Sequence, residues 1–335
     1  MDAKCNKGGP PRAVCIGGGT GLSTMLRGLK LYTHNITAIV TVADDGGGSG
    51  ALREELGMLP PGDIRNCLLS LANIEPMMQR LLSYRFDTGN LKGQSFGNLF
   101  IAAMFGISGS FEEAVSRMGD VLAITGRVLP VTAADVNIEA EFTDGVRLKG
   151  ESTVFADSDH KGKTLKSISL VPPRPAPLQG VIDAIEDAEL IVLGPGSLYT
   201  SIMPNLLVDG VATAVARSKA VKIYIANLMT QSGETEGYSL SDHIAELFRH
   251  SGARVADVCL ANTMPIPQEL LERYAPEGAR PLEIDREKTE DLGVKVYEAQ
   301  MFGRDGNLIR HNPRLLAKEI IGVYRAVSPT HKYGR

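Results

Sequence analysis

The run Gly17-Gly18-Gly19-Thr20-Gly21-Leu22-Ser23 constrains this chain more than any other stretch. It follows the apolar segment Ala13-Val14-Cys15-Ile16 and leads into a helix-like segment, read as Leu22–Lys30. Glycines between a strand and a helix let backbone N–H groups approach an anion, and the helix dipole favours negative charge at that spot. The spacing predicts a phosphate cradle over Gly18, Gly19, Thr20, Gly21 and Leu22. It departs from both familiar nucleotide templates: Leu22 stands where the dinucleotide fingerprint has its third Gly, and no Lys precedes Ser23 or Thr24 as in a P-loop. The expected ligand is a phosphorylated nucleotide bound in a less usual way.

The remaining pattern predicts an α/β protein with a mostly parallel sheet and helices on both faces. Strand Ala13–Ile16, helix Leu22–Lys30 and strand Ile36–Val42 form a βαβ start. Helical periodicity follows Pro60-Pro61-Gly62, with Ile64, Cys67, Leu68 and Leu71 on one face, and continues through Phe96–Phe105 and Phe111–Leu122. From about 126 to 170 the texture changes to short alternating runs around the turn signal Thr143-Asp144-Gly145, which predicts an inserted β-hairpin region. After the Pro-rich connector Val171–Pro177 the parallel rhythm resumes with strands Leu190–Leu193, Val221–Ala226, Val255–Leu260 and Val294–Val296. Interleaved helices are Leu178–Asp187, Leu240–His250 and a final Pro313–Val323. The organisation expected is a flexible N-terminus (1–11), a single α/β domain (12–325) and a C-terminal tail (326–335).

Charge and cysteine usage narrow the functional classes. A formal net charge of −4 argues against nucleic-acid or membrane-surface binding, because a phosphate-tracking surface needs a basic excess. Cys5, Cys15, Cys67 and Cys259 lack C-x-x-C spacing, so neither a zinc site nor a disulfide framework is suggested. With no apolar signal core in Met1–Pro11 and no run long enough to span a bilayer, a cytoplasmic protein without membrane insertion is expected. A homo-oligomer is compatible with all of this.

Several clusters carry chemistry. Asp44-Asp45-Gly46-Gly47-Gly48-Ser49-Gly50 follows the second strand. In a dinucleotide fold an acid here would hold a ribose hydroxyl, whereas paired aspartates with four glycines suit Mg²⁺ bridging to phosphate. The bland alternative is an Asp-Gly turn. Ser49 belongs to this loop, and Arg53, one helical turn further, is either a phosphate contact or a solvated side chain. In Pro60-Pro61-Gly62-Asp63-Ile64-Arg65-Asn66, Asp63 reads either as the N-cap of the next helix or as a second carboxylate for the cation, with Arg65 and Asn66 beside it. Asn98, opening another helix, offers a donor and an acceptor to a base or sugar edge. Gly194-Pro195-Gly196-Ser197 repeats the strand-loop-helix logic, and Asn227 follows the next strand on the same rim. Arg310, ahead of the last helix, is either a cation for that rim or part of a cap. The six histidines lack metal spacing and read as surface or packing residues. No nucleophile motif is present, so covalent catalysis is not expected.

At Gly17–Ser23, Asp44–Gly50 and Leu56–Asn66 the sequence resembles the YvcK family of gluconeogenesis factors, a branch of the CofD-like proteins whose other branch holds the 2-phospho-lactate transferases. The resemblance extends over nearly the whole chain, including Gly194–Ser197 and Leu308–His311. It implies a Rossmann-like fold and a nucleotide-sugar ligand, notably UDP-N-acetylglucosamine, contacted by Arg310. It also implies a regulatory role in cell shape, cell-wall precursor supply and gluconeogenic growth, exerted through a protein partner in cell-wall or carbon metabolism. From the transferase branch it implies a metal on Asp44 or Asp45 and on Asp63. The alternative function is a Mg²⁺-dependent transfer of a phosphorylated group from a nucleotide diphosphate donor to an alcohol, with Asp45 or Asp63 assisting deprotonation. An NAD(P)-dependent oxidoreductase is a third reading, opposed by Leu22 and by the glycines after Asp45.

Overall fold

Apolar runs of four or five residues become strands of the central sheet because they can be buried on both faces, the signature of parallel sheets covered by helices. In the computed structural model, which describes residues 9–154 and 165–328, the strands in chain order are β1 (Ala13–Gly17), β2 (Ile36–Val40), β3 (Arg127–Pro130), β4 (Asn137–Phe142), β5 (Arg147–Lys149), β6 (Leu165–Val171), β7 (Leu190–Leu193), β8 (Val221–Ile225), β9 (Val258–Asn262), β10 (Lys295–Ala299), β11 (Phe302–Asp305) and β12 (Leu308–His311). The expected N-terminus and C-terminal tail lie largely outside the described residues, as do Cys5 and 155–164 of the β-rich stretch. Every residue of β1, β7 and β8 is buried, including Lys222, which reaches Asp257 at 3.1 Å.

Seven strands form one wholly parallel sheet in the order β10-β9-β8-β7-β1-β2-β3. From β1 the chain winds one way to β2 and β3, then returns to β7 on the other side and winds outward to β10. The strand order therefore reverses between β1 and β7, which pair from Ala13–Leu190 to Ile16–Leu193. Ligands of open α/β sheets bind beyond the carboxyl ends of the strands at such a switch point. Both predicted phosphate loops, 17–21 and 194–197, leave from these two strands.

The predicted hairpin is present as β4 and β5, joined by a third antiparallel strand, β6. β3, within the stretch read as β-rich, pairs with β2 at the edge of the parallel sheet instead. A second hairpin, β11–β12, escaped the sequence reading because its Gly306-Asn307 turn interrupts runs too short to show alternation.

Some boundaries move for local reasons. The first helix is Gly19–Leu29, starting within the glycine run, where Gly19 turns the chain from the extended Gly18 with a left-handed φ of +66° that glycine adopts without strain. β2 ends at Val40 and β8 at Ile225, each leaving the last apolar residues of the predicted strand in buried loop. Val255 and Ala256 are fully buried but precede β9, which runs on to Asn262. The last helix, Pro313–Val327, is longer than expected, and the Asn312 side chain caps it by accepting from the Arg314 and Leu315 N–H groups. Among the described residues no single helix is long and apolar enough to cross a membrane.

Candidate functional site

The two glycine loops meet at the switch point. A β-carbon on Gly21 would lie 2.4 Å from the Pro195 carbonyl oxygen, and one on Gly18 would lie 2.5 Å from Asp63 Oδ2 and 2.7 Å from Thr41 Cγ2. Buried Asn205 ties the second loop to the first: its Nδ2 donates to the Gly17 carbonyl at 3.0 Å and to the Ser201 carbonyl at 2.8 Å. After Ser197 the chain makes a π-helical turn, Leu198–Ile202, before the short Met203–Leu206 helix. That turn is held by Glu234, which accepts from the Tyr199 N–H at 2.7 Å and also from Thr200 and Ser197.

A cavity of about 590 Å³ opens above this junction. Gly18, Gly19, Thr20 and Gly21 line one side, and Pro195, Gly196 and Ser197 the other. Asn227 and the following loop to Ser232 form a third wall, and Arg310 and His311 of β12 close the fourth. Asp44, Asp63 and Glu151 share its floor. Ligands of drug or nucleotide size are accommodated in cavities of this order.

The cavity floor is electrostatically unusual. Asp63 is not the N-cap of its helix: Pro61 holds that position and Asp63 lies in the first turn of Gly62–Leu71. Its carboxylate accepts from the Gly19 backbone N–H, yet removal from water, reinforced by nearby Asp44, pushes its pKa up to about 6. Asp44 is also raised, chiefly by desolvation, although the Gly46 N–H donates to it at 2.9 Å and Ser49 hydrogen-bonds to it. Glu151 rises to about 8 because burial acts together with Asp44, Asp63 and Glu234. Glu234 rises to about 7, again mainly through desolvation, despite its three hydrogen bonds. Carboxylates gathered this closely at a site of low solvation await a cation, a ligand donor or a proton.

Of the residues singled out in the sequence, Gly18 to Gly21, Asp44, Asp63, Pro195 to Ser197, Asn227 and Arg310 come together around this cavity. Leu22 contributes a fully buried side chain to the core, and Gly194 sits just beneath the loop. Ser49 is buried behind Asp44. Asp45 turns away, accepting from the Ser152 N–H at 2.9 Å. Arg53 also turns away: it pairs with Asp135 at 2.5 Å and donates to the Val136 carbonyl at 2.8 Å, bracing the approach to β4. Arg65 bonds to Ser95 and to Asn66 Oδ1, and Asn98 is buried at the start of its helix, where the Ser95 side chain caps its N–H. Asn66 faces a neighbouring cavity. Among the described residues no group of three or more His, Cys, Asp or Glu side chains is placed to hold a metal ion. Asp44 and Asp63 remain a two-carboxylate pair of the kind Mg²⁺ uses when phosphate and water supply its other ligands.

Three contributors escaped the sequence reading. Glu151 follows Gly150 at the end of β5 and reaches the cavity only because the small sheet folds back over the Asp44 loop. Glu234 and Asn205 act on loop geometry from a distance, and neither stands in a motif. His311, read as a packing residue, is buried with its pKa lowered to about 4 by desolvation, so its ring is neutral. The Arg310 guanidinium donates only to the adjacent Ile309 carbonyl, at 3.2 Å, and makes no ion pair among the described residues.

Fold and cavity together define a doubly wound, Rossmann-like α/β protein with its site at the topological switch point. Residues 13–302 match the family model described as 2-phospho-L-lactate transferase CofD. The chain is 53% identical over 313 residues to a "Putative gluconeogenesis factor" of Thermoanaerobacterium thermosulfurigenes, covering 93% of this chain and 97% of that protein. It is 45% identical over 319 residues to the "Gluconeogenesis factor" of Bacillus subtilis, covering 95% and 99%. A crystal structure of a UPF0052 family member from Bacillus halodurans superposes with a TM-score of 0.88 at 43% identity, covering 92% of this chain and 99% of that one. The chain belongs to the CofD family, in its branch of YvcK-type gluconeogenesis factors.

Proposed function

We propose that this protein binds a nucleoside-diphosphate sugar, UDP-N-acetylglucosamine, and acts as a cytoplasmic regulator linking cell-wall precursor supply and cell shape to gluconeogenic growth through a protein partner. The observation that carries this reading is the convergence of two strand-to-helix glycine loops and Arg310, which makes no ion pair among the described residues, on a single cavity at the switch point. Backbone N–H groups of the two loops and the Arg310 fork supply the donors that a diphosphate needs. Asn227 and the loop after it present amide and hydroxyl groups for a base or sugar. Asp44 and Asp63 would hold Mg²⁺ against the diphosphate, where the ion neutralises charge; this relieves the desolvated carboxylates as well. Calorimetry of the purified protein with UDP-N-acetylglucosamine, UDP and NAD tests the reading. Heat with the uridine nucleotides and none with NAD is expected; no heat with any uridine nucleotide ends it.

The transferase alternative draws on the same carboxyls, since Asp63, near pKa 6, is suited to accept a proton from an attacking hydroxyl. Release of nucleoside monophosphate that requires Mg²⁺ and vanishes in Asp63→Asn would select it. Binding without turnover selects the regulator.

A further inference from the structure

We infer that a second cavity, of about 440 Å³, is a separate binding site for a small hydroxylated phosphomonoester such as a sugar phosphate. It lies on the far side of Arg310 from the nucleotide cavity and shares Thr20, Thr24, Arg310 and His311 with it. The inference goes beyond the nucleotide-sugar reading and does not depend on it.

The walls come from three helices that each turn a polar pair, spaced four residues apart, toward one point: Ser23 with Arg27, Asn66 with Ser70, and Gln79 with Ser83. Side chains four apart share a helix face, so each pair is a local stripe of hydroxyl, amide or guanidinium. A merely solvated surface does not explain the depth of the site. Ser70 is 4% exposed, so its hydroxyl lines an inward concavity, and Ser23, 6% exposed, donates to the Thr20 carbonyl at 3.0 Å and leaves its oxygen as an acceptor there.

Two packing contacts fix these walls. The first helix presses on the start of the last: a β-carbon on Gly28 would lie 1.9 Å from the Pro313 carbonyl oxygen. Lys30 Nζ donates to the Ala72 carbonyl at 2.7 Å, joining the first helix to the end of Gly62–Leu71. The hairpin β11–β12, leading directly into Pro313, is thereby set against Arg27 and brings Arg304 and Arg310 to the opening.

Charge decides the ligand class. Neither Arg27 nor Arg310 makes an ion pair among the described residues, and Arg304 has only an exposed one, to Glu269 at 3.3 Å. Asp305 is the one acidic side chain on the wall among the described residues. Guanidinium forks match phosphate oxygens in pairs, and the surrounding hydroxyls and amides match a polyol. Arg310 lines both cavities and so forms part of the wall between them.

Calorimetry of the full chain with glucose 6-phosphate, glucose and inorganic phosphate tests the assignment. Glucose 6-phosphate should bind, glucose should give no heat, and inorganic phosphate should bind at least tenfold more weakly than the sugar phosphate. Arg27→Gln and Gln79→Leu, both at exposed positions away from the nucleotide cavity, should each weaken glucose 6-phosphate at least tenfold while leaving UDP-N-acetylglucosamine within twofold of the unmodified chain. Absence of glucose 6-phosphate binding, or binding indifferent to both substitutions, overturns the assignment. Because that readout uses the sugar phosphate alone, failure of the nucleotide-sugar reading would show separately, as silence with UDP-N-acetylglucosamine.

Discussion

Gly21 packs its α-carbon against the Pro195 carbonyl so closely that a β-carbon there would lie 2.4 Å from the oxygen. This contact joins the loops after β1 and β7, which form two sides of the cavity. Gly21→Ala must push the loops apart, and overpacking of this kind costs roughly 1–3 kcal/mol. Urea denaturation should show that loss, and nucleotide-sugar affinity should fall with it. Unaltered stability would mean that the loops have room to part.

Arg310 extends from β12 with only a neighbouring carbonyl as partner among the described residues, so its guanidinium is available to a ligand. Arg310→Ala should weaken UDP-N-acetylglucosamine binding by roughly 1.5–3 kcal/mol, the scale of lost charge-assisted bonds, without lowering the melting temperature. Calorimetry and thermal melting together check this. An unchanged affinity removes Arg310 from the site.

Arg53 provides the contrasting case. Its pairing with Asp135 at 2.5 Å and its bond to the Val136 carbonyl at 2.8 Å make it a brace between the Asp44 loop region and the small sheet. Arg53→Met should cost about 1–3 kcal/mol of stability, because it strips partners from a largely buried position. Nucleotide-sugar affinity measured below the unfolding range should stay within twofold. A selective loss of affinity with stability intact would return Arg53 to the phosphate.

The carboxyl cluster predicts how stability varies with pH. Glu151 in the folded protein holds its proton to about pH 8, against an ordinary value of 4.5, so the folded state binds more protons than the unfolded one across that interval. Stability therefore falls as pH rises through it and levels above it. Glu234, near 7, and Asp63, near 6, act in the same direction over narrower ranges. His243 and His311, both lowered to about 4 from 6.5, act oppositely: the stability they contribute rises with pH up to about 6.5 and is constant above it. The ligand-free protein should lose stability between pH 6.5 and 8, as Glu151 and Glu234 give up their protons. Glu151→Gln should flatten most of that decline and gain about 1–2 kcal/mol at pH 8.5, allowing for partial solvent access. An undiminished decline in the variant would show that Glu151 ionises freely.

What could be read from the sequence follows from the range of the interactions involved. The Gly17–Gly21 and Gly194–Ser197 loops were legible because strand, turn and helix are local patterns, and the switch point then brought the two together. Asp63 reads as a candidate, but its place beside the Gly19 N–H depends on how the Gly62–Leu71 helix packs against the first helix, Gly19–Leu29. Arg53, Arg65 and Asn98 were equally plausible from spacing, and tertiary contacts direct each of them elsewhere. Glu151 was invisible because a cavity residue supplied by an inserted sheet leaves no periodic or motif signature. The π-helical turn after Ser197 was hidden for a similar reason, since the Glu234 carboxylate that holds it lies well downstream in the chain.

The central claim is that one cavity between the loops at 17–21 and 194–197 grips a diphosphate. A crystal structure of the protein grown with UDP-N-acetylglucosamine and Mg²⁺ tests it most directly. The account predicts diphosphate oxygens against the N–H groups of Thr20–Gly21 and Gly196–Ser197, with Arg310 in contact. Density for the nucleotide elsewhere on the molecule, with this cavity holding only solvent, would contradict it.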